Sequence, residues 1–298
     1  MSDTQNEPLT FMAVHAHPDD EIFGTGVTFA RLSSEGVRTV LVTATRGEVG
    51  EIVDPDLDEA GKEEVFRKLG EVREKELRDS VAALKVSELR FLDFRDSGMV
   101  GTPDNINPAC FYQANFDEAV KRLVKLVREL RPQVMATYDP WGGYGHPDHV
   151  QAHRVTVAAF EAAGDPRFYP EMEFPAWQPQ KLYYTVIPRS WFQQVSKQMR
   201  EQGIDGPWNN PEMDVESWGT PDDQVTTCFE ARDFIDQKVA AFRAHKTQIA
   251  PNNFMFMIPE DMRRDGLGIE FFGLAKSKLT NNTLPAEGYE ADLFSGLR

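Results

Sequence analysis

The chain has 298 residues, 41% of them apolar and 27% charged, a globular mixture long enough for one large α/β domain or a domain with an appended part. Its 32 basic and 48 acidic side chains leave a formal charge of −16, which argues against nucleic acid as a partner, because such binding draws on clustered Lys and Arg. The polar start lacks the parts of a signal peptide, no apolar run approaches the roughly 18–20 residues of a membrane span, and Cys110 and Cys228 form neither a disulfide framework nor a Cys-based metal site, so a soluble, cytoplasmic protein is expected.

The first two-thirds alternates strand and helix. Phe11 to Ala16 is a short apolar strand ending at His17-Pro18, and Glu21 to Ser34 follows as a helix with Ile22, Thr25, Phe29 and Leu32 near one face and Gly36 as its stop. Thr39 to Ala44 has the β-branched, apolar composition of a buried strand. Past an Asp-rich loop, Phe66, Leu69, Leu77, Val81 and Leu84 mark one side of a long charged helix, and Leu89 to Phe94 reads as a third strand. Asn115 caps a helix striped by Val120, Leu123, Val124, Val127 and Leu130, which Pro132 ends. Val134 to Tyr138 is a fourth strand, with a helix after it from about Asp148 to Ala163.

Four such repeats with nearly continuous apolar strands predict a Rossmann-like α/β fold, a mostly parallel sheet with helices on both faces and ligands at the carboxyl ends of its strands. Residues 1–170 are expected to form this catalytic core, and 171–298 a smaller, irregular C-terminal α/β extension that completes the core and shapes the substrate pocket. In that extension Pro170, Pro175 and Pro179 mark a break, Lys181 to Ile187 a strand, and Ala231 to Ile249 an amphipathic helix. Residues 207–223 carry no assignable pattern. The tail after Asn252 is open between a cap over the site, a subunit contact of a homo-oligomer and a surface extension.

Two short motifs carry chemistry: His17-Pro18-Asp19-Asp20 and His146-Pro147-Asp148-His149, each after a predicted strand and opening a predicted helix. At this His, Pro and Asp content, chance supplies only roughly 0.03 His-Pro-Asp triplets. Hydrolytic zinc takes three protein ligands, His nitrogens and carboxylate oxygens, and keeps a fourth position for water. His17, Asp20 and His149 make such a set, one Zn2+ per chain, and Fe2+ takes the same ligands. Asp19 and His146 are then adjacent and unligated, the base and acid that hydrolysis needs. The competing reading is turn chemistry, since Asp also caps helices.

Residues Met12 to Gly26 (MAVHAHPDDEIFGTG) and Thr137 to Val150 (TYDPWGGYGHPDHV) resemble the LmbE-like (PIG-L) zinc N-deacetylase superfamily. Within it, RDSGM at Arg95 to Met99 and the GGYGHPDH context resemble the mycothiol-pathway branch of GlcNAc-inositol deacetylase and mycothiol-conjugate amidase. The likeness spans about residues 10–165. It implies the same three zinc ligands, Asp19 as the base, and His146 as donor to the leaving amine or the oxyanion. It further implies that Asp148 orients His146 and that Tyr144 donates to the oxyanion. The implied substrate is a small N-acetylated amino sugar such as a GlcNAc-inositol. The alternatives are an amidase for a thiol S-conjugate and a non-catalytic metal- or sugar-binding module. Arg46, Glu48 and Asp96 follow strands and are expected at the crevice, and Arg73 in LGEVREKEL matches a family arginine that reaches ligand; the blander reading is a surface helix for Arg73 and a turn carboxylate for Asp96.

Other residues favour packing. Gly24-Thr25-Gly26 lies inside a helix and not in the turn a dinucleotide fingerprint occupies. His149 and His153 have zincin spacing, but Val150 stands where the catalytic Glu belongs. His15, His153 and His245, the last on a stripe with Ile235, Val239, Phe242 and Ile249, read as core histidines, and Phe254 to Met257 as core or subunit contact.

Overall fold

Apolar runs that cannot face water on either side become the middle of a sheet. The computed structural model describes residues 8–280, 284, 285 and 287–298, so most of the polar start read above lies outside the described residues. In chain order the elements are β1 (Thr10–His15), α1 (Asp20–Ser34), β2 (Arg38–Thr43), α2 (Glu59–Phe66), α3 (Leu69–Ala83), β3 (Glu88–Phe91), α4 (Phe116–Leu130), β4 (Val134–Tyr138), α5 (Gly142–Gly145) and α6 (Pro147–Ala162). Then come β5 (Lys181–Val186), α7 (Arg189–Glu201), β6 (Thr227–Glu230), α8 (Ile235–Ala244), α9 (Phe254–Met257), α10 (Glu260–Leu267) and β7 (Ile269–Ser277). Among the described residues seven strands form one sheet in the order β3-β2-β1-β4-β5-β7-β6. β3 to β5 are parallel neighbours, as expected, while β7 runs antiparallel to both β5 and β6.

Alternate side chains of β1 serve two cores. Met12 and Val14 pack with Leu123, Val127, Val155 and Phe160 of α4 and α6, and Phe11 and Ala13 pack with Phe29, Leu77 and Phe242 of α1, α3 and α8. The chain leaves β1 toward β2 on one side and enters β4 on the other, so strand order reverses between β1 and β4. A crevice opens at such a switch point, beyond the carboxyl ends of the strands. Both His-Pro-Asp motifs sit there.

Two expectations are corrected. The long charged helix is two, α2 and α3, broken at Arg67-Lys68, and α2 buries no side chain. The helix expected to run to Ile249 stops at Ala244, because His245 turns out of it and its carbonyl accepts both Gln248 and Ile249 N–H groups. Part of the tail after Asn252 supplies β7, an inner strand between β5 and β6. Gly24 and Gly26 do serve packing, since a Cβ would meet Thr185 at 3.0 Å and Lys238 at 3.2 Å. Phe254 stacks edge-on against Trp208, and Phe256 against Phe242. Among the described residues no helix is long and apolar enough to cross a membrane.

The C-terminal segment is tied in by a buried charge. Glu290 pairs with the fully buried Lys181 at 2.6 Å and accepts from the Tyr183 and Thr227 hydroxyls at 2.5 and 2.9 Å. Glu290→Ala strands a lysine in the core, so denaturant unfolding is expected to show a loss of about 3–5 kcal/mol. Replacing both partners by apolar residues should recover most of it. A Glu290→Ala protein as stable as the wild type would show the pair to be idle.

Candidate metal centre

Just past β1, Pro18 fixes one turn residue and Asp19 takes φ 107°, ψ −25°, a left-handed conformation that costs a non-glycine residue about 1–3 kcal/mol. The turn swings Asp20 back beneath His17, whose N–H donates to Asp20 Oδ2 at 2.7 Å. Past β4, the Gly-rich segment 142–145 folds over the start of α6. Gly142 has φ 69°, and a Cβ there would lie 2.6 Å from that of His149. His146 caps α6, its Nδ1 accepting the Asp148 N–H at 3.1 Å, and His149 falls in the first turn.

The two motifs meet. His17 Nδ1 and His149 Nε2 are 3.3 Å apart, and the Asp20 carboxylate reaches His17 Nδ1 at 3.4 Å with one oxygen and His149 Nε2 at 3.3 Å with the other. The far nitrogen of each ring faces only acceptors: His149 Nδ1 lies 3.1 Å from the Gly142 carbonyl, and His17 Nε2 lies 3.3 Å from Asp148 and 3.5 Å from Asp96. Those nitrogens therefore carry the protons, and two imidazole lone pairs and a carboxylate point at one spot. Burial alone would lower the His17 ring, yet Asp96, Asp148 and Asp20 raise it well above the usual histidine range. Burial alone would raise the Asp20 carboxyl, yet His149 and His17 hold it well below the usual range. This corner collects positive charge. Donor atoms on a tetrahedral centre with bonds of about 2.0–2.2 Å lie about 3.3–3.6 Å apart, so the set fits zinc. Ligand atoms of His17, His146 and His149, and those of His17, Asp96 and Asp148, also cluster within 4.8 Å. His146 has its Nδ1 taken by a backbone N–H, and the second group sits on the protonated side of His17.

Tyr138, which the sequence reading passed over, braces two of the three donors. Its ring stacks on His149 at 4.2 Å and 20°, and its hydroxyl accepts the Ala16 N–H at 2.8 Å beside the Asp20 carboxylate, which with burial holds the phenol protonated. Asp148 meets His146 through its backbone and His17 through its carboxylate. Its carboxylate accepts from Ser97 N at 2.9 Å and from Ser97 Oγ, and faces His17; toward His146 it offers its backbone N–H.

Asp19 lies at the edge of this cluster. Burial pushes its carboxyl up to about 6 against the pull of Arg73, whose Nη2 is 3.2 Å away. Arg73 is buried and no surface residue: it also donates to the Pro18 and Gly47 carbonyls at 2.6 and 2.9 Å. Asp96 is a turn carboxylate, accepting Gly98 and Val49 N–H groups, and Glu48 accepts the Asp96 N–H at 3.0 Å. Arg46 is held away from the cluster by Glu74 at 2.6 Å and Asp93 at 2.8 Å, in a surface cleft shared with Glu48, Arg67 and Arg95. Tyr144 stays half-exposed at the rim, its ring 4.9 Å from that of His149. His15 and His153 are core histidines, bonded to Thr25 and to the Tyr138 carbonyl.

The sequence pattern of the family described as GlcNAc-PI de-N-acetylase (PIG-L) matches residues 12–160. A curated relative from Geodermatophilus obscurus, 1D-myo-inositol 2-acetamido-2-deoxy-alpha-D-glucopyranoside deacetylase, is 41% identical over 96% of this chain and 97% of its own length. Among solved structures, N,N'-diacetylchitobiose deacetylase from Pyrococcus horikoshii superposes with a TM-score of 0.60 at 19% identity, over 93% of this chain and 87% of its own. GalB, the 4-carboxy-2-hydroxymuconate hydratase from Pseudomonas putida KT2440, does so with a TM-score of 0.58 at 17% identity, over 92% and 99%. These last two likenesses show the fold alone.

Zinc titration against a chelator is expected to find one site per chain, lost in His149→Ala and weakened roughly 10- to 100-fold in Asp148→Asn, which disturbs the far side of His17. Undiminished zinc binding by His149→Ala would place the ion elsewhere.

Proposed function

Because the chain belongs to the PIG-L family of GlcNAc-PI de-N-acetylases, we propose that it hydrolyses the acetamide of a GlcNAc-inositol, releasing acetate and the free amine. The observation that carries this reading is the convergence of His17, Asp20 and His149 beside Asp19, with His146 offering an N–H from the facing loop. His17, Asp20 and His149 would hold a zinc ion, which when bound acidifies water and polarises an amide carbonyl.

The rest is the chain's own work. Asp19, ionised at neutral pH, accepts a proton from the attacking water. His146 accepts a backbone N–H at Nδ1, so its own proton sits on Nε2. Burial, with His17 and His149 nearby, brings the ring down to about 4, so at neutral pH it acts as a neutral donor to the oxyanion. The proton that the departing amine needs then returns from Asp19. Tyr144 at the rim is a second donor to the oxyanion. Asp148 and Ser97 keep His17 in the required tautomer, and Tyr138 keeps Asp20 and His149 in place. A module that only bound metal or sugar would have no use for Asp19 and His146 together.

Zinc-loaded protein is expected to release acetate from a GlcNAc-inositol faster than amine from a thiol S-conjugate amide. Asp19→Ala should keep its zinc and lose roughly 10²–10⁴-fold in turnover. Unchanged turnover in that variant would remove Asp19 as the base, and preferential cleavage of the S-conjugate would make the protein a conjugate amidase.

A further inference from the structure

Asp19 does not hold its left-handed backbone conformation unaided. Its N–H donates to Glu21 Oε2 at 2.9 Å. The other oxygen of the same carboxylate accepts Ser80 Oγ from α3 at 2.5 Å and faces His245 Nε2 at 2.8 Å. Glu21 and His245 are both fully buried. A carboxylate so placed needs a compensating charge to remain an acceptor. His245 supplies it, since Glu21, Asp19 and Glu76 outweigh burial and raise its ring.

His245 comes from 224 positions further along the chain, where α8 ends. The turn it opens is pinned from two sides. Thr247 donates to Glu76 of α3 through its N–H at 2.8 Å and its hydroxyl at 2.7 Å, and its carbonyl accepts the Val53 N–H. Its ring nitrogen therefore meets Glu21 from a fixed point, though its own hydrogen bonds touch neither the metal donors nor Asp19.

We propose that His245 is a positioning residue for the reaction, acting through Glu21 to keep Asp19 in the left-handed turn that sets where its carboxylate lies. This rests on the reading of Asp19 as the base.

The test is a double-mutant cycle with kcat, KM and zinc content measured separately. His245→Leu is expected to lower kcat roughly 10- to 100-fold, the effect of a small misplacement of a reacting group, with KM and zinc stoichiometry unchanged. His245→Gln, which keeps a donor for Glu21, should recover part of the loss. On an Asp19→Ala background, His245→Leu should cost almost nothing further, because its path to the chemistry is already cut. The same loss with and without Asp19 would overturn the proposal in favour of a packing role. Full turnover in His245→Leu, with Asp19→Ala inactive, would overturn it while leaving Asp19 as the base. Full turnover in Asp19→Ala would overturn both. If His245→Leu does not fold, Ser80→Ala and His245→Gln carry the cycle instead, each expected to lower kcat several-fold only when Asp19 is present.

Discussion

The site depends on the crowding of two imidazoles and a carboxylate, which added positive charge, a proton or a metal ion, relieves. His17 Nδ1, His149 Nε2 and the Asp20 carboxylate are held within 3.3–3.4 Å of one another by acceptors on the far side of each ring. The Gly142 carbonyl must take a proton from His149 Nδ1, and Asp148 must take one from His17 Nε2. The metal-facing lone pairs follow from those two acceptors. The site is thus specified from its outer side, and the sheet's switch point provides the room by parting the loops after β1 and β4.

The same logic recurs through the molecule. Several of its buried charges are paired, with a member from the C-terminal third. His245 answers Glu21, and Glu290 answers Lys181. Lys238 answers Glu270 at 2.7 Å, and Glu270 in turn accepts the Val27 and Thr28 N–H groups inside α1 at 3.1 and 2.9 Å. α1 begins at Asp20, so the element that carries the proposed carboxylate ligand is fastened along its length by residues more than 200 positions away. Such pairs add little net stability over apolar packing, but removing either partner is costly, which makes them devices for holding one arrangement.

What was readable in the sequence follows from how local each feature is. β4 and the cap of α4 by Asn115 were visible because composition and a side chain three residues from its target settle them. The convergence of His17, Asp20 and His149 was legible as an expectation because their residue types stand in two short motifs at strand ends. Tyr138 was not, since a tyrosine closing an apolar strand looks like core until the loop folds His149 onto its ring. The resemblance links Asp148 to His146, a contact made through the Asp148 backbone N–H, while the facing of its carboxylate to His17 shows only when the fold brings residues 131 positions apart together. The helix ending at Ala244 was overrun because Ile249 continues the apolar period, and only the partner 224 positions away shows why the chain turns at His245. β7 was hidden in an irregular tail whose apolar run gains meaning only when β5 and β6 flank it.

The sheet alone does not select the reaction, since a hydratase shares its architecture with a deacetylase. Selection comes from what stands around the three donors. On the proposed reading the base must stand near the ion but off it, and the left-handed turn at Asp19 would provide this: adjacent carboxylates on a regular helix would leave Asp19 and Asp20 on neighbouring faces, with nothing to keep both at the crevice. The turn separates their tasks. Asp20 lies back under His17, while Asp19 is held between the Arg73 guanidinium and the Glu21 anchor of its own backbone. Two acidic residues with the same side chain are thereby driven apart in proton affinity: burial pushes Asp19 up to about 6 against the pull of Arg73, while His149 and His17 overcome burial and hold Asp20 well below the ordinary carboxylate range.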